Sequence, residues 1–493
     1  MNPFILSELP LAPLTAFGYH PQSASAHADP HLYYLPRNFS GPEDSKRIHH
    51  HNKTGNSGMR HGRFAPTDMN GWAWLFCLCG VLGGCASIES PDNAEQSSIE
   101  FNCAVGDVTP HEAMVWLKTT DAQTVNIQYS TDSQWSTFQE TATVLTSPET
   151  DFTTHIPLTG LTPNTRYWYR SLMRGKGPGR PCQFITAPLE DNMTTVTFVI
   201  GGDTRHSFQP FSIMETIRTV NPDFFVFLGD TIYADKDTPA RELSAYWNKY
   251  RENRDRFTER LFAETSVYAI WDDHEVDSDF TSTNPLMPIG RQAFFTYWPI
   301  RQHTTDSTRL YRTFRWGKAV ELFLLDTRQY RNPATNTMLG ADQKQWLLAR
   351  LEASSARFKF VISSVPFSDP RADKWGEFPD ERDEILKFLT EMNITGVLFL
   401  AGDVHYGAIS QVPGMPNLKE YIFGPLAAPM NYKISGQEPR FEYFNDDYRN
   451  FGKITVNAED LKPSVHIEWF DTNRTLLHEV IIEDDRDQSL TSR

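Results

Sequence analysis

The chain has 493 residues, 39% of them apolar and 13% aromatic, enough to build two or three domains around sizeable cores. Its formal net charge of −16 and the lack of a basic stripe argue against any nucleic-acid partner. An acidic chain that handles anionic substrates has to gather positive charge locally, and bound metal ions do that.

In chain order, residues 1–68 show no clear periodicity and read as a mis-called or disordered extension, with the true start at Met59 or Met69. His49, His50 and His51 lie within it and read as a chance cluster. Residues 69–85 contain "GWAWLFCLCGVLGGC". That stretch is too short to span a bilayer comfortably and suits the apolar region of an export signal. It ends in Leu82-Gly83-Gly84-Cys85, similar to a bacterial lipoprotein box, which implies cleavage before Cys85 and lipidation of its sulfur; the plain alternative is a short buried helix. The expected destination is periplasmic or cell-envelope, anchored to the membrane at Cys85. Residues 86–100 read as a linker. The five cysteines form no Cys-x-x-Cys pair, which excludes zinc-finger and thioredoxin-type sites. In an oxidising compartment Cys103 and Cys182 are the natural disulfide pair, with two buried thiols as the alternative.

Residues 101–190 read as a small β-sandwich. "AMVWLK", "TVNIQYS", "TATVLT", "TTHIPL" and "TRYWYRSLM" are short, alternating and rich in β-branched and aromatic residues. "LTGLTPNTRYWYR" is similar to a fibronectin type III strand corner. "GKGPGRP" lacks the Gly-Lys-Ser/Thr of a phosphate loop and reads as a hairpin tip. From 191 to 484 the pattern becomes α/β: "VTFVIGGD", "FFVFLGD", "VYAIWDDHE", "VELFLLDTRQYR", "FKFVISSVPFS" and "GVLFLAGDVHY" are buried-strand runs that end abruptly in polar residues. "GADQKQWLLARLEAS" predicts a helix with Trp346, Leu347 and Leu351 on one face. "KITVNA", "SVHIEWF" and "LLHEVIIE" return to strand, and 485–493 form a tail.

Four of the strand ends carry oxygen or imidazole donors: Asp203, Asp230 with Tyr233, Asp273 with His274, and Asp403 with His405. A single Gly-Asp after a strand is most simply a turn. Four together, all at the carboxyl ends where open α/β sheets bind ligands, point to a metal site with hard donors. Asp279 is a weaker candidate ligand. Asp326 and Arg328 read as a buried pair. Tyr297, Trp298 and Trp375 line either a substrate mouth or the core.

The order and spacing of these motifs resemble the dinuclear metallophosphoesterases, and the details are similar to the PhoD-like alkaline phosphatases. Besides the strand ends, the resemblance rests on "AFFTYWPIR", "LYRTFRWGKAVELFLLDTRQYR", "DKWGEFPDER", "FGPLAAP" and "NFG", and spans about residues 101–484. It implies a four-layer α/β/β/α metallophosphatase domain preceded by a small fibronectin-III-like β-sandwich. It also implies metal ligands at Asp203, Asp230, Tyr233, Asp273, Asp403 and His405, with Asp230 bridging two ions and Tyr233 on a ferric ion. His274 corresponds to the histidine that faces the substrate instead of the metal. The family cofactor is iron plus calcium. Many members carry a cysteine where this chain has Asp203, and the harder carboxylate leaves the metal identities open. Other metallophosphoesterases have Asp-x-His at this point. Here the third residue is Arg205, which cannot ligate a metal but can bind a phosphate oxygen or pair with a carboxylate.

The expected function is a phosphatase acting on small phosphate monoesters. Its two cations ready a water, and His274 protonates the leaving oxygen. The alternative for His274 is a structural histidine bonded to Asp272 or Glu275. No Gly-x-Ser-x-Gly elbow competes as a nucleophile site. Two other readings stand beside this one: a phosphodiesterase acting on phospholipid or cell-wall polymers, and an extracytoplasmic binding protein with a degenerate metal site. A monomer is expected.

Overall fold

The computed structural model describes residues 102–459 and 462–484, within one compact unit, Ile88–Arg493. The extension, the export segment with Cys85, the linker and the tail lie outside the described residues.

Two mixed sheets lie face to face. The first is ordered Leu476–Glu483, Ser464–Asp471, Asn450–Asn457, Val196–Gly201, Phe224–Phe227, Ser266–Ala269, Asn102–Gly106, Glu112–Lys118 and Thr153–Thr159. Its three central strands, Val196–Gly201, Phe224–Phe227 and Ser266–Ala269, run parallel. The second is ordered Arg312–Trp316, Val320–Leu324, Phe358–Ile362, Val397–Ala401, Met415–Ile422, Gly407–Val412 and Phe441–Asn445. Four of these, from Val320–Leu324 to Met415–Ile422, are parallel.

The central runs are apolar throughout because both faces of each sheet are covered. Phe198, Phe224, Phe360, Leu398 and Leu400 fill the space between the sheets, where the rings of Phe198 and Phe360 meet edge to face at 5.3 Å. Side chains alternate along a strand, so Val199, Phe225 and Phe227 point the other way. They pack under helices Ser212–Val220, Leu243–Glu252, Arg256–Glu264 and Met287–Tyr297. Phe323, Val361 and Phe399 do the same under Gly340–Ala353 and Pro379–Glu391. The result is the expected α/β/β/α stack. In Gly340–Ala353, Leu347 and Leu351 are buried, whereas Trp346 is only partly covered and lies against Tyr311.

The amino-terminal sandwich is not free-standing in its hydrogen bonding. Strands Asn102–Gly106, Glu112–Lys118 and Thr153–Thr159 extend the first catalytic sheet, through a parallel pairing of Gly106 with Val267. A Cβ at Gly106 would meet the Val267 carbonyl oxygen at 2.6 Å, so this approach requires glycine. The opposing sheet contains Thr124–Ser130, Arg166–Met173 and Cys182–Ile185, with three two-residue strands; "TATVLT" contributes only Val144–Leu145 to it. A Cys103–Cys182 disulfide joins the two sheets. Trp116 Nε1 donates to the Thr296 carbonyl at 2.7 Å, and the Arg254 guanidinium lies 4.0 Å over the Trp116 ring.

Candidate metal centre

The carboxyl ends of the two parallel strand sets converge on one place. The first sheet delivers Asp203, Asp230 and Asp273, and the second delivers Asp403 and His405. Each strand stops in a sharp turn: Asp203, Asp230, Asp403 and His405 all have positive φ, at 63°, 51°, 67° and 60°. Aspartate and histidine tolerate that conformation better than most residues, but four such residues gathered at strand ends are uncommon, and backbone of this kind clusters at functional sites. Gly424 sets the wall behind Asp203, since a Cβ on it would meet Asp203 Oδ2 at 2.7 Å.

Three donor groups overlap. Asp203, Asp230 and His405 form one; Asp230, Asp273 and His274 another; Asp272, Asp273 and Asp403 a third, each with ligand atoms within 4.8 Å of one another. Asp230 belongs to two of them. Tyr233 Oη lies 3.1 Å from His405 Nε2, which in turn stands 3.3 Å from Asp203 Oδ1. Asp203 Oδ2 and Asp273 Oδ1 are buried without a hydrogen-bond partner, and Asp203 Oδ1 has only the His405 ring, at 3.3 Å. Buried carboxylate oxygens are ordinarily satisfied, so the chemistry of this donor set fits hard cations. Burial, and then the charges of Asp273, Asp272 and Asp203, hold the Asp230 carboxyl well above the usual carboxylate range. The Tyr233 phenol is raised by burial and then by Asp230 and Asp203. A cluster that resists ionisation when its protein atoms stand alone is one that bound cations would stabilise.

His274 sits beside this cluster. Its Nδ1 is 2.7 Å from Asp235 Oδ1, its Nε2 is 3.9 Å from Asp230 Oδ2, and its ring stacks on Tyr233 at 4.2 Å. Its side-chain partner is thus Asp235, and neither Asp272 nor Glu275. Burial lowers the basicity of the imidazole, but Asp273 and Asp235 outweigh it and raise the group to about 9. Arg205 forms an ion pair with Asp237 at 2.9 Å while its guanidinium lies 5.8 Å from the Tyr233 ring.

Several residues that sequence reasoning placed elsewhere, or passed over, complete the surroundings. Glu275 is wholly buried and accepts from the backbone amides of Asp230, Thr231 and Asp272 and from the Thr231 hydroxyl, so one carboxylate fixes two ligand loops. Arg328 touches Asp326 only through its backbone; its buried guanidinium pairs with Asp272 and Asp373 and approaches Asp273 and Asp403 at 3.6 and 3.8 Å. Lys374 bonds Asp403 and, at 2.9 Å, Asp373. Asp279 donates its backbone amide to Asp273 Oδ2 at 2.8 Å. Tyr297, Trp298 and Trp375 are buried core residues. "DKWGEFPDER" carries the family resemblance and Trp375, but nothing in its spacing signals that Lys374 reaches a strand end elsewhere in the chain.

A sequence model of the PhoD-like phosphatases matches residues 198–465, and one described as the PhoD-like phosphatase N-terminal domain matches 84–188. Alkaline phosphatase D of Bacillus subtilis (strain 168) is 22% identical over 472 residues, covering 79% of this chain and 81% of that protein. The solved structure of PhoD superposes with a TM-score of 0.70 at 20% identity, covering 79% of this chain and 92% of that one. Purple acid phosphatase PPD1 from yellow lupin (Lupinus luteus) superposes with a TM-score of 0.59 at 14% identity, covering 80% and 75%.

Proposed function

The chain belongs to the PhoD-like phosphatase family, and from that premise we propose that it hydrolyses phosphate monoesters with two cations held by Asp203, Asp230, Tyr233, Asp273, Asp403 and His405. The observation that carries this reading is the pair of donor groups sharing Asp230, with an unpartnered carboxylate oxygen of Asp203 on one side and one of Asp273 on the other. Bound there, the cations supply Lewis-acid polarisation of the phosphoryl group and a lowered pKa for water.

The protein groups do the rest. Asp230, shared by two donor groups, would serve both cations, and Glu275 holds the Asp230 backbone in place. Asp235 holds His274 by Nδ1, which leaves Nε2 facing the carboxylate cluster with a proton to give to the leaving oxygen. Arg205 is near enough to Tyr233 to meet a phosphate oxygen with an N–H that Asp237 does not use. The donors favour hard cations, and with Asp203 in place of a thiolate we propose calcium or manganese beside an iron held by Tyr233. We also propose that the protein works outside the cytoplasm, anchored through Cys85. The Cys103–Cys182 disulfide supports an oxidising compartment.

The test compares the metal-loaded protein on p-nitrophenyl phosphate and bis-p-nitrophenyl phosphate. A kcat/KM at least tenfold higher on the monoester is expected. The reverse preference would make it a diesterase. Activity on neither substrate, with less than one tightly bound metal per chain, would point to a binding protein.

A further inference from the structure

The carboxylates of the site are not equally provided with positive charge. Among the described residues, Asp203 and Asp230 have no lysine or arginine ion-pair partner; their cationic neighbours are His405 and His274. On the other side, Asp272, Asp273, Asp373 and Asp403 share the guanidinium of Arg328, and Asp373 also receives Arg331 at 2.7 Å. Arg328 is fully buried and locked between Asp272 and Asp373. Lys374 is different. Its ammonium sits on Asp403 Oδ2, in a carboxylate of the donor group formed with Asp272 and Asp273, yet it is also tethered to Asp373 Oδ2 at 2.9 Å. It can therefore swing off Asp403 without being left unpaired. A lysine ammonium is a compact point charge with rotatable donors on a flexible stem, suited to such exchange.

We propose that Lys374 is a built-in competitor for one of the two cations. The two positions are then unequal: a tight one at Asp203, Asp230, Tyr233 and His405, and an exchangeable one at Asp230, Asp273 and Asp403, whose occupant has to displace Lys374 from Asp403. This rests on the two-cation reading above and deepens it. Lys374 acts here as a positioning residue that sets the affinity of one cation through Asp403. Exchange with the surroundings is confined to one end of the site, and the end near Asp203 keeps its cation throughout.

The test is calorimetric titration of the chelator-stripped full chain with Mn²⁺, with equilibrium dialysis to count sites. The wild type is expected to show two classes separated by at least tenfold in Kd. Lys374→Gln should tighten the weaker class at least tenfold and leave the tight class within threefold, which also reports an intact fold. Lys374→Arg, which keeps the charge, should leave the weaker class at least tenfold weaker than the tight one. A weaker class unchanged or loosened in Lys374→Gln overturns the proposal. If Lys374→Gln holds no Mn²⁺ because it fails to fold, wild-type crystals with one and two equivalents of Mn²⁺ decide. The ammonium should rest on Asp403 in the first and leave it in the second, and an ammonium still on Asp403 with two ions bound overturns the proposal. A wild type that binds no Mn²⁺ sinks the two-cation reading itself, and this inference with it.

Discussion

Replacing Asp235 with asparagine isolates what the protein contributes to His274. The two side chains meet at 2.7 Å and are 5% and 14% exposed, so solvent screens the pair only weakly. Asparagine keeps the shape and an acceptor for Nδ1–H but removes the charge. A hydrogen bond to a charged group contributes roughly 1.5–3 kcal/mol and a neutral one roughly 1. The difference, roughly 0.5–2 kcal/mol, centres on about one pKa unit at about 1.36 kcal/mol per unit. Without cations, Asp273 and then Asp235 hold the His274 proton up to about 9; in the metal-loaded enzyme a cation on Asp273 would offset its share, so the alkaline limb of kcat/KM should fall below about 9. In the variant it should fall about one unit lower. The assay is a pH profile on a monoester with a poor leaving group, such as glycerol 2-phosphate, where protonation of the leaving oxygen matters most. Above pH 9 the variant should be roughly tenfold slower, and near pH 6 almost equal. Stability follows the same group. Its folded pKa lies above the free value, so its contribution is complete below about 6.5 and lost as pH rises through about 9. The deficit in melting temperature of Asp235→Asn should be largest in acid and shrink above pH 9. An unshifted alkaline limb, with metal content intact, would refute the role given to this pair.

His274→Ala should lower turnover about 10²–10⁴-fold while both metals stay bound; loss of metal, read by atomic emission, would make His274 a ligand instead. Glu275→Ala orphans the amides of Asp230, Thr231 and Asp272. It should cost at least roughly 3 kcal/mol in urea unfolding and weaken metal binding with it. Phe198→Ala removes a ring from between the sheets and should cost roughly 3–5 kcal/mol with the metal ligands in place. Replacing Cys103 and Cys182 by serine opens a loop of 79 residues; a loss of up to about 4 kcal/mol is expected, read as a lower midpoint in guanidinium chloride.

The strand cores were legible in the sequence because both faces of each sheet are covered, which turns strands such as Phe224–Phe227 and Val397–Ala401 into unbroken apolar runs. The ligand positions were legible for a related reason: a strand that ends in aspartate or histidine changes abruptly from apolar to charged. The second sheet was read only in part. Arg312–Trp316, Gly407–Val412 and Phe441–Asn445 pair antiparallel at its flanks, where residues such as Arg312, Arg315 and Glu442 interrupt the apolar pattern. The extension of the first sheet by Asn102–Gly106 could not be read either. The composition change near residue 190 marks a boundary in pattern, and hydrogen bonds between strands more than 150 residues apart leave no local trace. Charge compensation was the least legible feature. Arg328 beside Asp326 looks like a local pair in sequence, yet its guanidinium reaches Asp272 and Asp373. Asp235 meets His274, and Lys374 meets Asp403, only once the turns are folded.

The central claim is that Asp230 stands between two cations. Anomalous diffraction from crystals of the metal-loaded protein, collected at the absorption edges of the bound metals, tests it most directly. Two peaks are predicted, one facing Asp203, Tyr233 and His405, the other facing Asp273 and Asp403, with the Asp230 carboxylate touching both. A single peak away from Asp230, or none at full metal loading, would contradict the account.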